Sequence, residues 1–320
     1  VDLYPGKVIY HGKVDQGKLA SLYRQASILF MPSRFLETFG LTAVESLACG
    51  TPVVGFSKGG LELFIPESYS LDPENPVESF LMILENFTGK KEGIFDILPY
   101  TQSSWEDQIR KIFPSGSSIA ILHDYSQKIG GAEYYISQLR NFFVLSGYQY
   151  IWYGYSGTTT VWKRRIMFMF SMFAFWRGFQ VKKLLIKSKP EILWMHSILR
   201  YVGFWGARAA LLYAKKNSIP VYLSHHDIGL MVPFPQKITQ ESEIPKTSSF
   251  RHFLQGLSFP QKIIAFPKWI YIQMICGYFP EKLTHIIFSP FIEKHIRNHF
   301  PKENTVILLP HHFHQDTFHE

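Results

Sequence analysis

Pro32-Ser33-Arg34-Phe35-Leu36-Glu37-Thr38-Phe39-Gly40-Leu41-Thr42-Ala43-Val44-Glu45 is the stretch on which the reading of this chain turns. It follows an apolar run, Ser27 to Met31, that reads as a buried strand closed by Pro32. It leads into a helix predicted over Thr42 to Cys49 and ended by Gly50, after which Thr51 to Phe56 reads as the next strand. Two acids, Glu37 and Glu45, stand eight residues apart and can face one elongated ligand. Gly40 permits a tight turn or a close approach of ligand to backbone. The N–H groups of Phe39, Gly40, Leu41 and Thr42 then make an anion site at a helix start, suited to a diphosphate. Spacing alone leaves a second reading open, in which Glu37 caps the helix and Glu45 is simply solvated.

Working outward, the pattern of strand, helix and short link repeats. Val8 to Tyr10 is predicted as a short strand, Lys18 to Ala26 as a helix and Asn75 to Phe87 as another, with Asn75 as cap and Pro76 in its first turn. Ser104 to Phe113 is a closing helix. Pro114-Ser115-Gly116-Ser117-Ser118 is a flexible break, and a new unit starts at Ile119. There, strands at Ile119–Leu122, Tyr148–Tyr153, Ile192–Met195, Val221–Ser224, Thr284–Phe288 and Thr305–Leu309 alternate with helices. Alternation of this kind predicts α/β architecture, parallel sheets covered by helices. The predicted domains are therefore 1–113 and 119–320, joined by a linker at 114–118.

Further polar groups fall at strand ends, where open α/β sheets place ligands. Gly59-Gly60-Leu61-Glu62 can expose amides and offer a carboxylate to a sugar, or it can be a plain turn. Gly130-Gly131-Ala132-Glu133 offers a second anion-tolerant helix start, or a structural cap. His196 follows one strand and His225-His226-Asp227 another; His226 could bond a sugar hydroxyl or phosphate, with Asp227 orienting it. The tail histidines His311, His312, His314 and His319 make no complete tetrahedral set, so no metal is expected. Neither Gly-Gly motif is a nicotinamide fingerprint or a phosphate-binding P-loop.

Composition sets the class. Of 320 residues 46% are hydrophobic and 18% charged, which is globular, and 16% are aromatic. The two cysteines, Cys49 and Cys276, form no metal or redox spacing and fit a reducing compartment. No secretory signal opens the chain, and the apolar run Ile166 to Trp176 falls short of the roughly 20 residues a spanning helix needs. A cytoplasmic protein, peripheral at the cytosolic membrane face, is expected. Charge is uneven: residues 1–113 hold 10 Lys or Arg against 14 Asp or Glu, whereas 114–320 hold 23 against 11. The second part is therefore drawn to anionic partners. A helix predicted over Val161 to Lys187 mixes cations with Met, Phe and Trp; it reads either as a membrane-surface helix or as a core helix with basic ends. No zinc finger or recognition helix accompanies the charge, so no nucleic acid is expected.

Glu37, Glu45 and the run Ser46-Leu47-Ala48-Cys49-Gly50-Thr51-Pro52-Val53-Val54 resemble the Glu-x7-Glu region of retaining two-Rossmann-domain (GT-B) glycosyltransferases of family 4. Gly6 to Phe113 resembles the second half of that family's C-terminal domain. From Ile119 onward, the chain resembles its N-terminal, acceptor-side domain, through Gly130-Gly131-Ala132-Glu133, Pro190 to His196 and Ser224 to Asp227. The fold implied is GT-B-like Rossmann modules, one of them partial, in non-standard order. The resemblance implies a nucleoside diphosphate sugar as donor substrate, with no other cofactor, and a glycan, lipid-linked or small-molecule acceptor. It puts Glu37 beside the donor sugar, Glu45 on the nucleotide ribose and the amides of Phe39 to Thr42 on the diphosphate. Gly59, Gly60 and Glu62 match the following glycine-rich loop, Gly130 and Gly131 a phosphate-proximal loop, and His226 a histidine near the reaction centre. The family's Gly-Arg…Lys-Gly pattern, which neutralises the diphosphate, has no counterpart here. A fragment of a tandem transferase is the reading this favours; the alternative is a nucleotide-sugar-binding or inactive remnant without transfer.

Overall fold

Short apolar runs punctuated by glycine and proline become parallel strands in both compact units of the computed structural model. It describes residues 7–88, 96–125, 131–157, 160, 162, 170, 173–198, 200–232, 238–244, 253–278, 283–300, 304–313 and 315–318. The first unit gathers 1–34, 40–104 and 312–320; the second gathers 35–39 and 105–311.

In the first unit, β1 (Leu29–Met31) pairs parallel with β2 (Val53–Gly55), Leu29 opposite Val53. Helix α1 (Gln16–Gln25) starts at Asp15, whose carboxylate accepts the N–H of Lys18 at 2.8 Å, and buries Ala20 and Tyr23. Helix α2 (Leu41–Ala48) buries Ala43, Val44 and Ser46. The Thr51 hydroxyl donates to the Tyr23 carbonyl at 2.5 Å and so ties the entry of β2 to α1. A closing helical turn, Gln315–Phe318, returns to this unit: Phe318 is buried near the Tyr23 ring, and its carbonyl accepts from Cys49 Sγ at 3.2 Å. Helix α3 (Pro76–Glu85) has no buried residue and exposes Val77, Leu81, Met82 and Leu84. Asn75 is its N-cap residue and Pro76 opens its first turn, but the Asn75 side chain makes no capping bond and its amide donates to Asp72. Val8 to Tyr10 is not a strand: these residues are exposed and make no ladder, so alternation there had no partner to act on.

The second unit is built on a parallel sheet of six strands among the described residues. They are β3 (Ser118–Tyr125), β4 (Gln149–Tyr155), β5 (Ile192–Met195), β6 (Val221–His225), β7 (Leu283–Ile287) and β8 (Thr305–Leu308), in the order β4-β3-β5-β6-β7-β8. Ile119 faces Ile192, and Trp194 faces Tyr222. β5 is buried at every position, as a strand covered on both faces must be. Helices α4 (Gln102–Ile112), α5 (Gly131–Leu145), α6 (Trp176–Ser188), α7 (Gly203–Asn217), α8 (Phe259–Tyr278) and α9 (Pro290–His299) accompany it. The core joins Leu122, Val181, Leu193, Leu211, Leu223 and Ile287, and Leu36 enters it from the separate segment 35–39.

Two boundaries differ from the sequence reading. The units divide at Ser104/Trp105 rather than within 114–118, because Trp105, Ile109 and Phe113 are buried in the second unit. Trp105 Nε1 donates to Tyr135 Oη at 3.3 Å, and Tyr148 Oη donates to the Phe113 carbonyl at 2.8 Å. Within the helix predicted over Val161 to Lys187, Trp162 and Phe170 are helical, Phe173 to Phe175 are not, and a helix runs over Trp176–Ser188; Arg164 and Arg165 lie outside the described residues. Helices α6 and α7 both end on a left-handed residue that is not glycine, Lys189 at φ 46° and Ser218 at φ 54°.

Candidate functional site

The first unit carries the α2 entrance. Gly40 is its N-cap residue at φ 97°, in the left-handed region, and a Cβ there would meet Leu61 Cδ2 at 2.5 Å. No side chain caps the helix. The Gly40 carbonyl takes the N–H of Ala43 at 2.9 Å and of Val44 at 3.2 Å. Leu41 and Thr42, in the first turn, have no intrahelical acceptor for their N–H groups, and the helix dipole adds positive potential there. Thr42 is exposed, so this end of the predicted anion site is open to solvent.

Glu45 lies in the second turn of α2, half-buried, and burial pushes its carboxyl up to about 7. Arg34 and Lys58 both stand over the Phe56 ring, 5.7 Å and 5.3 Å from its centroid, and bring two cations to the end of β2. Gly59 and Gly60 are buried in a short 3-10 helix, Gly59–Leu63. The Glu62 carboxylate accepts the N–H of Gly59 at 3.2 Å and so closes its own turn.

Glu37 sits in the second unit with the segment 35–39. The Leu36 N–H donates to the Ile238 carbonyl at 3.1 Å. The Thr38 hydroxyl donates to the His226 carbonyl at 2.9 Å, and the Ser289 hydroxyl donates to the Thr38 carbonyl. The Phe39 ring is buried, 5.2 Å from the His311 ring. These bonds hold the segment that contains Glu37 to the second unit, and burial raises the Glu37 carboxyl above the usual range. Glu37 and Glu45 thus belong to different compact units.

Strand order reverses between β3 and β5, the position where doubly wound sheets bind ligands beyond the strands' carboxyl ends. His123 and Asp124 lie near the carboxyl end of β3, just before its final residue Tyr125, and His196 follows β5. His196 Nδ1 lies 3.1 Å from His226 Nε2 with the rings stacked. His226 stacks in turn on Phe288, and Phe288 on His311. Tyr135, from α5, packs its ring edge against His226, Phe288 and His311. Burial lowers His196 and His226 well below the ordinary imidazole value and His123 to about 3, so all three rings are neutral near pH 7. Both nitrogens of His123, Nε2 of His196 and Nδ1 of His226 have no hydrogen-bond partner among the described residues. Each buried polar atom left this way costs about 1–3 kcal/mol, and hydroxyl groups of a ligand would relieve that cost.

Asp124 accepts the N–H of Arg200 at 2.8 Å and of Val202 at 2.9 Å, holding the entrance of α7. Burial still carries its carboxyl up to about 6. Asp227 does not orient His226, because its carboxylate accepts the N–H of Gly229 at 2.6 Å in a local turn, and adjacent residues point apart. His225 faces the core, bonding His285 at 2.8 Å, which in turn meets Asn304 at 3.0 Å. Gly131 opens α5; Gly130 lies outside the described residues, as do His314 and His319. Among the described residues no three His, Cys, Asp or Glu converge as metal ligands. His123, Tyr135 and His311 were missed as site residues; only the rule that ligands gather at strand ends could have flagged His123.

Residues 3–76 match the family described as glycosyl transferases group 1. Stretches of the chain are similar to enzymes named D-inositol 3-phosphate glycosyltransferase. That of Streptomyces bingchenggensis is 49% identical over 55 residues, 17% of this chain and 12% of its own. That of Xylanimonas cellulosilytica is 44% identical over 59 residues, 18% and 14% of the two chains. Enzyme 1 of Catenulispora acidiphila is 58% identical over 45 residues, 14% and 10%. The matched stretches thus span about an eighth of these relatives' length. No solved structure matches. The mixed α/β architecture with parallel sheets is consistent with Rossmann-like GT-B modules.

Proposed function

We propose that this chain carries parts of a retaining family 4 glycosyltransferase: a nucleotide-sugar-binding module, partial, in the first unit, and an acceptor-type module in the second. The observation that carries the reading is the uncapped entrance of α2 at Gly40, with Glu45 one turn beyond it, inside the stretch that matches the group 1 family. The amides of Leu41 and Thr42 bind the diphosphate, where charge grows as the glycosidic bond to the leaving phosphate breaks. Arg34 and Lys58 add positive potential beside it. Glu45 takes the ribose hydroxyls; in the second unit, by itself, Glu37 offers a carboxyl to sugar hydroxyls. In the second unit His226, held neutral, donates or accepts a hydrogen bond with a sugar hydroxyl and does not act as an ion. The acceptor is a polyhydroxylated molecule; D-inositol 3-phosphate enters the test panel because the similar enzymes are named for it.

The experiment is product analysis with the full chain, a panel of nucleoside diphosphate sugars and candidate acceptors. Transfer that falls about a hundredfold in His226→Ala, as expected for a positioned polar group in a water-poor site, supports the reading. Equal turnover in the variant contradicts the role given to His226. A second reading, binding without transfer, is favoured by the commitment of Glu62 to its own turn. It predicts nucleotide-sugar binding with no sugar product.

A further inference from the structure

Helices α6 and α7 pack closely because Gly178 meets the backbone of Trp205: a Cβ on Gly178 would come within 3.0 Å of the Trp205 carbonyl. The inner face of α6 is Arg177, Val181 and Leu185, spaced by four and buried. Its outer face is Phe175, Phe179, Lys182, Ile186 and Lys189, spaced by three and four. This second face is apolar and uncovered, with Phe175 60%, Phe179 70% and Ile186 53% exposed. It forms one wall of a groove of about 1080 Å³ whose other wall is α7, from Trp205 to Lys216. A soluble helix ordinarily buries one apolar stripe and presents polar residues elsewhere; here both faces carry large apolar side chains.

The charge on the two helices has one sign. Helices α6 and α7 carry Arg177, Lys182, Lys183, Lys187, Arg208, Lys215 and Lys216 and no acid. Glu191 is the single acidic residue lining the groove, and its carboxylate accepts the N–H of Ser118 at 3.0 Å. Among the described residues none of Lys182, Lys183, Lys187, Lys189 and Lys216 makes an ion pair. Lysine stems can lie along the apolar floor while their ammonium groups reach outward. Phe173 and Trp176 extend the exposed aromatic surface at the start of α6.

We propose that the α6–α7 groove is a docking surface for an anionic phospholipid bilayer, with Phe175, Phe179 and Ile186 entering the acyl boundary and the surrounding lysines meeting the headgroup phosphates. Apolar insertion and attraction to anionic lipid together hold a surface helix at an interface where neither suffices alone. The groove runs along the outer faces of the helices and takes no residue from the histidine cluster, so the lipid is an anchor and not the acceptor. This assignment is independent of the transferase reading: an inactive chain that binds vesicles, or an active one that does not, separates the two.

The test is vesicle flotation of the full chain with phosphatidylcholine alone and with phosphatidylcholine containing about one quarter phosphatidylglycerol. The anionic vesicles are expected to bind about tenfold more tightly, with the double substitution Phe179→Ser and Ile186→Ser removing the binding. The triple substitution Lys182→Gln, Lys183→Gln and Lys187→Gln is expected to remove the preference for anionic lipid. Acyl-brominated lipid is expected to quench tryptophan fluorescence of the unaltered chain, a readout that holds even if a variant fails to fold. Equal binding to both vesicle types, no quenching, or full binding by a folded Phe179/Ile186 variant overturns the proposal. So does retention on nucleic acid or heparin without any vesicle binding.

Discussion

Gly40 holds φ 97° and leaves no room for a Cβ beside Leu61. Gly40→Val therefore combines backbone strain of about 1–3 kcal/mol with a clash. We expect a lowered melting temperature and loss of nucleotide binding together, checked by calorimetry on the same preparation. Glu45 gives a pH signature. Its folded carboxyl titrates near 7, against 4.5 for the unfolded chain, so the stability it contributes is complete below 4.5 and is lost as pH rises through 7. Glu45→Gln removes that titration: its melting temperature relative to the parent should be higher at pH 8 than at pH 5, by about 2–4 °C for each kcal/mol. Because a ribose hydroxyl donates best to an ionised carboxylate, donor affinity of the parent should rise from pH 6 to pH 8. An affinity that falls over this range speaks against Glu45 as the ribose ligand.

At the scale of elements, α4 shows what burial adds to pattern. Trp105 bonds Tyr135 and packs its ring against Tyr135 and Phe142. Trp105→Ala should cost about 3–5 kcal/mol, read as a fall in the denaturation midpoint of the full chain. The helix itself was legible from its period, but its allegiance was not, because a helix does not announce which unit its apolar stripe meets. The same holds for segment 35–39, which lies between β1 and α2 in the sequence and is anchored through Leu36, Thr38 and Phe39 to the second unit. Strands β5 to β8 were legible within a residue or so, since buried parallel strands are short apolar runs. Val8 to Tyr10 had the pattern without a neighbour and stayed out of any sheet. Asp227 was misread as the partner of His226 because sequence adjacency hides side-chain direction, whereas the true partner, His196, comes from a different strand.

At the scale of the molecule, charge and protonation set the conditions under which the chain works. Six histidines, His123, His196, His225, His226, His285 and His295, have folded values lowered chiefly by burial. Their contribution is present above 6.5 and is lost as pH falls below it, because the unfolded chain takes the protons. Glu37, Glu45 and Asp124 act in the opposite sense, but they are three against six. The denaturant midpoint should therefore fall between pH 7 and pH 5; a midpoint that rises would mean the imidazoles are not held neutral. Among the described residues no helix is long and apolar enough to cross a membrane.

The account rests on a diphosphate held by the amides that open α2, and titration calorimetry of the full chain with nucleoside diphosphate sugars at pH 8 tests that most directly. The account predicts saturable binding to at least one of them, weakened about tenfold or more in Glu45→Ala, as loss of a charged hydrogen bond requires. Heat of binding absent across the whole panel, or unchanged by that substitution, would contradict it.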